Sequence, residues 1–392
     1  MRLCIVSYKE CWTDSNGHWY SSGGFPLQIR ALASLFDQTT LMITKVTEGS
    51  GGIELPAGIE VVVLPSPHGE GKKRKLFILK HALNYLLLMW REIRKSQVVY
   101  IPLPGDLPLL GMGVGVGLRK HLIVRYGGSW EVNDQTTLST RFMRWAMRGL
   151  AGGRNLMLAT GMDDKPPSPN VHWLFTTALT NEELGTIMPN FERGLSSEPR
   201  LVFIGRLSPE KGLPILFEAL KTIKEEGFQP MPHLTLIGDG PHRNMLGTLI
   251  KAMDLEKYIE FTGQLNRKEL SAQLLTMDVA VQPSLTEGLS KAWLDAMAHG
   301  LPVIASDVGM ARKIIGLDGE RGWLIEPGDV SSLTVRLKEV LSSSFPWSQI
   351  RKRCRQFVEG LTLEAWVDQI ARLCAEQWGW IYSDGRLQWV KS

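Results

Sequence analysis

Short runs of apolar residues alternate along this chain with stretches in which apolar residues recur every three or four positions. The first pattern is typical of strands buried on both faces, and the second of helices with one buried face. In the second half this pattern predicts strands at 201–204, 234–237, 258–261, 279–282 and 302–305, and helices at 213–226, 242–253, 267–275, 289–299 and 330–341. Such alternation predicts one doubly wound α/β domain.

The first half is less regular, but it supports a second domain of the same class. Its predicted strands are at 2–7, 40–44, 60–64, 98–101 and 121–125. A length of 392 residues exceeds what one core usually serves, and the polar stretch 190–199 is the best linker. We therefore predict an amino-terminal domain at 1–192, a second domain at 200–365 and a carboxyl-terminal helical tail at 366–392 that packs toward the first domain.

Composition excludes several classes of protein. Apolar content of 44% and charged content of 21% are ordinary for a globular protein, and a net charge of +4 with no RNA-binding or zinc-finger signature argues against nucleic acid as a partner. The four cysteines lack the spacing of a zinc site or a disulfide framework. The opening MRLCIVSY resembles a strand rather than a secretory leader, so we expect a cytoplasmic protein.

Candidate chemistry lies in the second half. In FIGRLSPEKG, a buried strand delivers Arg206 at its carboxyl end, and Lys211 follows where the next helix begins. Glu287 stands in a turn before a helix, whose free amide groups favour anions and hydroxyls. Two fixed cations suit a departing pyrophosphate. No HExxH or other metal-ligand spacing is found, so we expect these cations to replace a metal ion and predict no cofactor.

Several motifs occur together in the second half: GRLSPEKG, LIGDGP, FTGQL, and an EGL segment followed by AMAHGLPVIASDVG. In this order they resemble the retaining glycosyltransferases of the GT-B fold, specifically family 4. In the first half the likeness is limited to the first strand, the loop SSGGFPLQIRALASLF and the phrase MPNFE. The resemblance implies two Rossmann-like domains facing across a cleft. It also implies a nucleoside-diphosphate sugar donor, most commonly a UDP-sugar, and a polysaccharide, glycolipid or lipid-linked acceptor.

The resemblance also assigns residues. It implies catalytic roles for Glu287, Arg206 and Lys211. It implies donor contacts for a larger set: Gly23, Gly24, Arg206, Lys211, Gly238, Gln264, Leu265, Glu287, Gly288, Leu289, Ser290 and Asp295. Two positions depart from the family pattern. Asp295 stands where the family has a glutamate that holds the ribose, and VRYGGSW replaces a segment with a histidine near the reacting carbon. Arg125, Tyr126 and Trp130 are candidates for sugar or acceptor contacts there.

Other interpretations remain open at this stage. The basic run 72–75 leads into an apolar helical face ending at Trp90, which is either core or, as the resemblance allows, a contact with an anionic membrane. The second alternative would place the protein at the inner face of the plasma membrane. A sugar-nucleotide epimerase of the same fold and a catalytically silent nucleotide-sugar binding protein are alternatives to the transferase.

Overall fold

The computed structural model describes residues 1–47, 49, 52–67, 69, 71–128, 130, 137–342 and 344–390, with the backbone alone at 71 and 72. It divides into two compact units. The first comprises Met1–Ala178 together with Leu363–Ser392, and the second is Leu179–Thr362. Each contains a largely or wholly parallel sheet with helices, so the predicted α/β class is confirmed.

The first unit is built on a long sheet. Its strands are β1 Arg2–Thr13, β2 Trp19–Ser21, β3 Gln38–Lys45, β4 Ile53–Glu54, β5 Ile59–Leu64, β6 Val98–Leu103, β7 His121–Tyr126, β8 Asn155–Thr160 and β9 Val171–Leu174. Its helices before the second unit are α1 Phe25–Ala33, α2 Gly71–Lys80, α3 Ala82–Ile93, α4 Asp106–Gly117 and α5 Leu138–Leu150.

Seven strands of this sheet run parallel in the order β5-β3-β1-β6-β7-β8-β9, while β2 and β4 add an antiparallel edge. The central strands are apolar on both faces because helices cover both sides. Helices α3, α4 and α5 share one core cluster with this sheet, through residues such as Met89, Met112 and Met147. Thus the outward faces of these three helices lie on the same side of the unit.

The second unit is more regular. Its strands are β10 Arg200–Ile204, β11 His233–Ile237, β12 Ile259–Gly263, β13 Val279–Gln282, β14 Val303–Ser306 and β15 Gly322–Ile325. Its helices are α6 Asn181–Thr186, α7 Leu213–Glu225, α8 Arg243–Ala252, α9 Arg267–Leu274, α10 Lys291–Ala298, α11 Ala311–Ile315, α12 Val330–Ser342 and α13 Trp347–Val358, with a single 3-10 turn at Pro209–Lys211.

All six strands of this second sheet are parallel, in the order β12-β11-β10-β13-β14-β15. The strand order reverses beside β10, since β11 lies on one side of it and β13 on the other. In open parallel sheets such a switch point places the loops after the strands around a crevice at their carboxyl ends, which is where ligands bind. The loops that follow β10 and β13 carry Lys211 and Glu287.

The boundary between the units differs from the predicted linker at 190–199. Residues 179–192 belong to the second unit because their polar groups are tied to it. Glu183 accepts a hydrogen bond from Arg267 Nε at 2.8 Å, the carbonyl of Ile187 accepts one from Arg355 at 3.3 Å, and Glu192 pairs with Lys352 at 2.7 Å.

The carboxyl-terminal part also differs in its limits. The helical tail is predicted at 366–392, but its helix α14 is Leu363–Trp378 and belongs to the first unit, while the preceding helix α13 belongs to the second. A small hairpin of β16 Ile381–Ser383 and β17 Arg386–Gln388 follows. Gln369 donates to the carbonyl of Trp173 at 3.2 Å, and the His121 ring packs against both Trp378 and Trp380. These contacts attach the tail from residue 363, rather than 366, to the first sheet.

The apolar side chains of α2 and α3 are exposed, so the interpretation of this face as core is wrong. Their exposed fractions are 67% for Leu76, 72% for Leu79, 71% for Leu83, 37% for Leu86, 57% for Leu87 and 45% for Trp90. The core contacts of α3 come instead from Tyr85, Met89 and Ile93 on its opposite side. Among the described residues, no helix is both long and apolar enough to cross a membrane.

Candidate donor-binding site

A lysine and a glutamate from two adjacent loops form an ion pair at the carboxyl edge of the second sheet. Lys211 ends the 3-10 turn after β10, and Glu287 lies in the loop between β13 and α10. The Lys211 Nζ donates to Glu287 Oε2, and each side chain is 18% exposed. Arg206 lies five residues before Lys211 on the same loop and is exposed. The structure therefore places the three predicted catalytic residues on two loops that are joined by an ion pair.

The loop that carries both cations depends on a glycine. Gly212 links the 3-10 turn to α7 at φ +65°, in the left-handed region. A Cβ at this position would stand 2.0 Å from the Pro283 carbonyl oxygen. Only glycine satisfies both requirements, because side chains are disfavoured at that φ and a contact so short would push the two loops apart. The close packing of these loops is what brings Lys211 within reach of Glu287.

A second close approach of backbone occurs between β10 and β11. Gly238 follows β11 at φ +132°, and a Cβ there would lie 2.0 Å from the Gly205 carbonyl oxygen. The amide of Gly238 donates to the Gly263 carbonyl oxygen at 2.8 Å, which joins the end of β11 to β12. Two predicted donor contacts, Gln264 and Leu265, follow directly, with Gln264 exposed and Leu265 half-buried. These loops form one continuous edge of the sheet.

The Glu287 loop is held from both sides. The amide of Leu285 donates to the Glu210 carbonyl oxygen at 2.8 Å, and the amide of Met310 donates to the Gly288 carbonyl oxygen at 2.9 Å. Leu289 and Ser290 are buried, and Ser290 is the N-cap residue of α10, although its side chain accepts no hydrogen bond from the helix amides. The segment from Gly288 to Ser290 therefore lies at the amino terminus of α10, where helix amide groups and the helix dipole favour negative charge.

Asp295, on α10, is engaged in a buried charge network. Its Oδ1 accepts from Arg267 Nη1 at 2.9 Å, while Arg267 Nε donates to Glu183 Oε1 at 2.8 Å. Burial alone would lower the pKa of Arg267, but the two carboxylates, above all Asp295, raise it, so the guanidinium is charged at every working pH. The resemblance assigns the Asp295 carboxylate to the donor ribose. In the structure this carboxylate is also one of the two acidic partners of Arg267.

His299 extends this network on the far side of Asp295. Its Nδ1 lies 2.7 Å from the Asp295 carbonyl oxygen and its Nε2 lies 2.8 Å from Ser271 Oγ. Burial lowers the pKa of His299, so the ring is neutral near pH 7, and one nitrogen donates while the other accepts. With Nδ1 facing a carbonyl oxygen, the proton lies on Nδ1, and Nε2 accepts from the Ser271 hydroxyl. The network fixes the position of α10 relative to α9.

Glu210 directly precedes Lys211, and the pKa of its carboxyl reflects the groups around it. Burial raises the pKa of its carboxyl, but the hydrogen bond from the Ser208 hydroxyl at 2.6 Å and the nearby charges of Lys211 and Arg206 lower it overall. The two cations of this loop thus lie close enough to Glu210 to favour its charged form.

Comparison with known proteins identifies this half of the chain. Residues 190–359 match the family model described as glycosyl transferases group 1. The second unit is a group 1 glycosyltransferase domain. The chain is also 32% identical over 332 residues to the sulfoquinovosyl transferase SQD2 of Arabidopsis thaliana, a match that covers 76% of this chain and 61% of that relative. The chain thus spans less than two thirds of the length of this curated relative.

Solved structures extend the likeness to both units. Sucrose-phosphate synthase from Thermosynechococcus elongatus has a TM-score of 0.71 at 20% identity, covering 96% of this chain and 98% of its own. Anabaena HepE in complex with UDP and glucose has a TM-score of 0.70 at 16% identity, covering 96% of this chain and 100% of its own. At such identities the likeness shows the fold alone, and that fold is GT-B. The predicted resemblance to GT-B glycosyltransferases is confirmed.

The predicted residues of the first unit are placed differently from those of the glycosyltransferase domain. Gly23 and Gly24 lie in the turn before α1, with Gly23 at φ +68° and exposed. Tyr126 and Trp130 are 3% and 6% exposed and pack edge to face with ring centroids 5.8 Å apart. Side chains so buried offer little surface to a sugar, and the structure gives no support to their prediction as ligand contacts.

Arg125 is likewise engaged within its own unit. Its Nη1 donates to Gln28 Oε1 at 3.3 Å, its Nη2 donates to Thr176 Oγ1 at 3.0 Å, and its guanidinium lies 5.9 Å from the Trp366 ring centroid. Because these partners come from α1, from the segment after β9 and from α14, Arg125 links the tail helix to the sheet. Its contacts are those of a framework residue.

Sequence reasoning missed Arg267 and Glu183 as parts of the site. Arg267 is the first residue of α9, two positions after the FTGQL motif, but its two acidic partners are 28 and 84 positions away. Helix spacing relates only residues three or four apart, so no periodicity could have paired them. The motif marked the loop, while the pairing depends on how α6, α9 and α10 pack.

Proposed function

We propose that the protein is a retaining, metal-independent glycosyltransferase that moves a sugar from a nucleoside-diphosphate sugar, a UDP-sugar, to a polysaccharide, glycolipid or lipid-linked acceptor. The observation that supports this most directly is the Lys211–Glu287 pair, with Arg206 on the same loop, at the carboxyl edge of a parallel sheet in a group 1 glycosyltransferase domain. A site with two cations and a carboxylate suits a donor that carries a diphosphate at one end and sugar hydroxyls at the other.

The chemistry follows from the charges that develop during transfer. As the bond between the anomeric carbon and the diphosphate oxygen breaks, negative charge grows on the diphosphate and positive charge on the sugar ring. Arg206, Lys211 and the amide groups at the start of α10 would stabilise the diphosphate, the role that a divalent cation has in other transferases. Glu287 would orient Lys211 and accept hydrogen bonds from the donor sugar.

Retention of the anomeric configuration requires that the acceptor bond forms on the face from which the diphosphate departs. In the proposed reaction the acceptor hydroxyl attacks the anomeric carbon on that face, and an oxygen of the departing diphosphate takes the hydroxyl proton. The products are the glycoside and a nucleoside diphosphate. No protein nucleophile is needed, so Glu287 acts by charge and position.

The nucleotide and the acceptor are proposed on separate grounds. HepE, which shares the fold, was solved with UDP and glucose, and this supports uridine as the base. The exposed apolar side chains of α2 and α3, which follow the basic run at 72–75, support an acceptor held at an anionic membrane. We therefore propose that the protein acts in the cytoplasm, at the inner face of the plasma membrane.

Ligand binding and product analysis would test this function in turn. A ligand that binds the native state raises its unfolding temperature, so UDP should raise it more than GDP or ADP, and EDTA should leave the shift unchanged. Incubation with UDP-sugars and candidate acceptors should then release UDP and give a glycoside whose anomeric proton coupling matches that of the donor. A product of inverted configuration, or a requirement for Mg²⁺ or Mn²⁺, would contradict the corresponding part of the proposal.

The same assays separate the alternative functions. An epimerase would convert the donor sugar with no acceptor present, and proton NMR would detect the new sugar nucleotide. A silent binding protein would give the thermal shift with UDP but neither transfer nor slow hydrolysis of any donor. Either result would replace the transferase assignment.

A further inference from the structure

Helix α5 presents an apolar face outward. Leu138, Phe142 and Trp145 are 82%, 51% and 67% exposed, and the Phe142 and Trp145 rings lie 5.7 Å apart. The positions i, i+4 and i+7 fall on one side of a helix. The opposite side of α5 is buried through Met143 and Met147. This helix is therefore apolar on both sides, and only one of them is covered by the first unit.

The segment that contains this face carries a large positive charge. Residues 71–150, which include α2 to α5, contain fourteen Lys and Arg against four Asp and Glu, a formal net charge of +10 in a chain whose total is +4. On α5 itself Arg141 and Arg148 are exposed beside the apolar residues. Of the four acids, Glu92 is buried and paired with Arg91 and Lys95, and Asp106 pairs with Arg74. The other two lie outside the described residues.

The outward faces of α3 and α4 continue this surface. Helices α3, α4 and α5 pack on the same side of the first sheet, and α3 and α4 border an open groove of about 530 Å³. The groove is lined by Leu83, Leu86, Leu87, Trp90, Val114, Gly117 and Leu118. The exposed residues of α5 are separated in sequence from those of α2 and α3 by more than forty positions, yet they face the same side of the unit.

We propose that α5 is a second contact with an anionic phospholipid bilayer, in addition to the α2–α3 contact of the proposed function. Phe, Trp and Leu beside Arg on one helix face are the composition of a helix that lies in the membrane interface. A bilayer with anionic lipids supplies the complementary charge over a flat surface that several helices contact together. A second copy of this chain would bring the same positive surface, so like charges would oppose a symmetric dimer through this face.

Vesicle sedimentation with the full chain tests this proposal without a sugar donor. The vesicles contain either phosphatidylcholine alone or an equal mixture of phosphatidylcholine and phosphatidylglycerol. We expect binding to the mixed vesicles only, and the double variant F142S/W145S should weaken it by roughly tenfold. The control variant L317S/V335S changes two side chains of the second unit that are 81% and 60% exposed, and it should bind like the wild type.

Three further variants separate the charged and apolar contributions to binding: R141E, L83S/L87S, and the quadruple variant that combines L83S/L87S with F142S/W145S. R141E should weaken binding to mixed vesicles. Raising the salt concentration should reduce its difference from the wild type, since salt screens only the electrostatic contribution to the binding free energy. L83S/L87S should weaken binding independently, and the quadruple variant should not bind. Circular dichroism and the thermal shift with UDP verify the fold and donor site of each variant, so loss of the donor function would be recognised separately.

Two outcomes would overturn the proposal. One is F142S/W145S binding mixed vesicles as tightly as the wild type, in which case α5 does not touch lipid. The other is a wild-type dimer in analytical ultracentrifugation that F142S/W145S converts to a monomer, in which case the face joins two copies of the chain.

Discussion

The two units share an α/β architecture, but their distinctive surfaces lie on different parts of it. In the second unit the loops at the carboxyl edge of the sheet carry the Lys211–Glu287 ion pair, and helices α9 and α10 carry the pair of Arg267 with Asp295. In the first unit the corresponding strand β7 ends in Arg125 and Tyr126, which are held by neighbours of the same unit. The distinctive surface of the first unit is instead the outside of α2 to α5.

The formal net charge also differs between the two units. The second unit, Leu179–Thr362, contains 21 Lys and Arg against 23 Asp and Glu, so its cations at the sheet edge are local features of a unit that is slightly negative. The first unit carries the remaining excess of positive charge, concentrated in 71–150. Under the proposed function, one fold would thus support a small-ligand site at its strand ends and an extended contact surface on its helix faces. Variants of Lys211, Arg267 and Arg125 test this division of roles.

The largest effect is expected at Lys211. Lys211→Ala should lower kcat/KM for transfer by about 100- to 1000-fold, because one well-placed charge in a shielded site contributes that much to the transition state. Steady-state release of the nucleoside diphosphate measures it. Lys221→Ala is the matched control, since Lys221 forms an exposed helical pair with Glu225 in the same unit and should change turnover little. Full turnover by a folded Lys211→Ala variant would place the diphosphate elsewhere.

The Lys211–Glu287 pair also shows how far sequence could lead. The motifs placed both residues in loops after buried strands, and parallel pairing of β10 with β13 was enough to bring those loops together. The strand and helix pattern of the second half was predictable for the same reason, since fully buried parallel strands are continuous apolar runs. What sequence could not supply was the ion pair itself or its dependence on the contact between Gly212 and Pro283.

Prediction was weaker where tertiary contacts decide the outcome. The apolar face of α2 and α3 has the periodicity of a core helix, and nothing local distinguishes a face buried by the sheet from one left exposed. The boundary at 178–179 depends on pairs such as Glu183 with Arg267, which are far apart in sequence. Tyr126 ends β7 and Trp130 lies four residues later, where ligand contacts are common, but the two rings pack against each other and are almost fully buried.

A smaller effect is expected at Arg267, which connects α9 with Asp295. Arg267→Met leaves two partly buried carboxylates without their cation, so the second unit should lose about 2 kcal/mol of stability, less than a fully buried pair because the arginine is 26% exposed. The donor KM should rise about tenfold, because Asp295 loses the contact that positions it. Denaturant unfolding and donor saturation curves measure the two effects.

Lys268→Met is the control for Arg267, since Lys268 is the exposed neighbour on the same helix. Asp295→Glu adds the methylene that the family glutamate has. If Asp295 reaches the ribose only in part, this variant should lower the donor KM. An Arg267→Met variant that loses stability but keeps its donor KM would show that the network supports the fold and not the ribose contact.

The smallest effect on transfer is expected at Arg125. A variant of this residue tests whether a strand-end side chain of the first unit contributes to the reaction. Arg125→Met keeps the aliphatic bulk against Trp366 but removes the hydrogen bonds to Gln28 and Thr176. Hydrogen bonds from a charged donor contribute about 2 kcal/mol, so the unfolding midpoint should fall by roughly 4 °C for a unit of this size. With the donor edge intact in the second unit, kcat/KM should stay within about twofold of the wild type.

Arg154→Met is the control, because Arg154 is a surface arginine that donates to the Arg119 carbonyl oxygen at 3.1 Å. A loss of turnover without a loss of stability would make Arg125 a ligand contact, and both units would then contribute strand-end residues to the reaction.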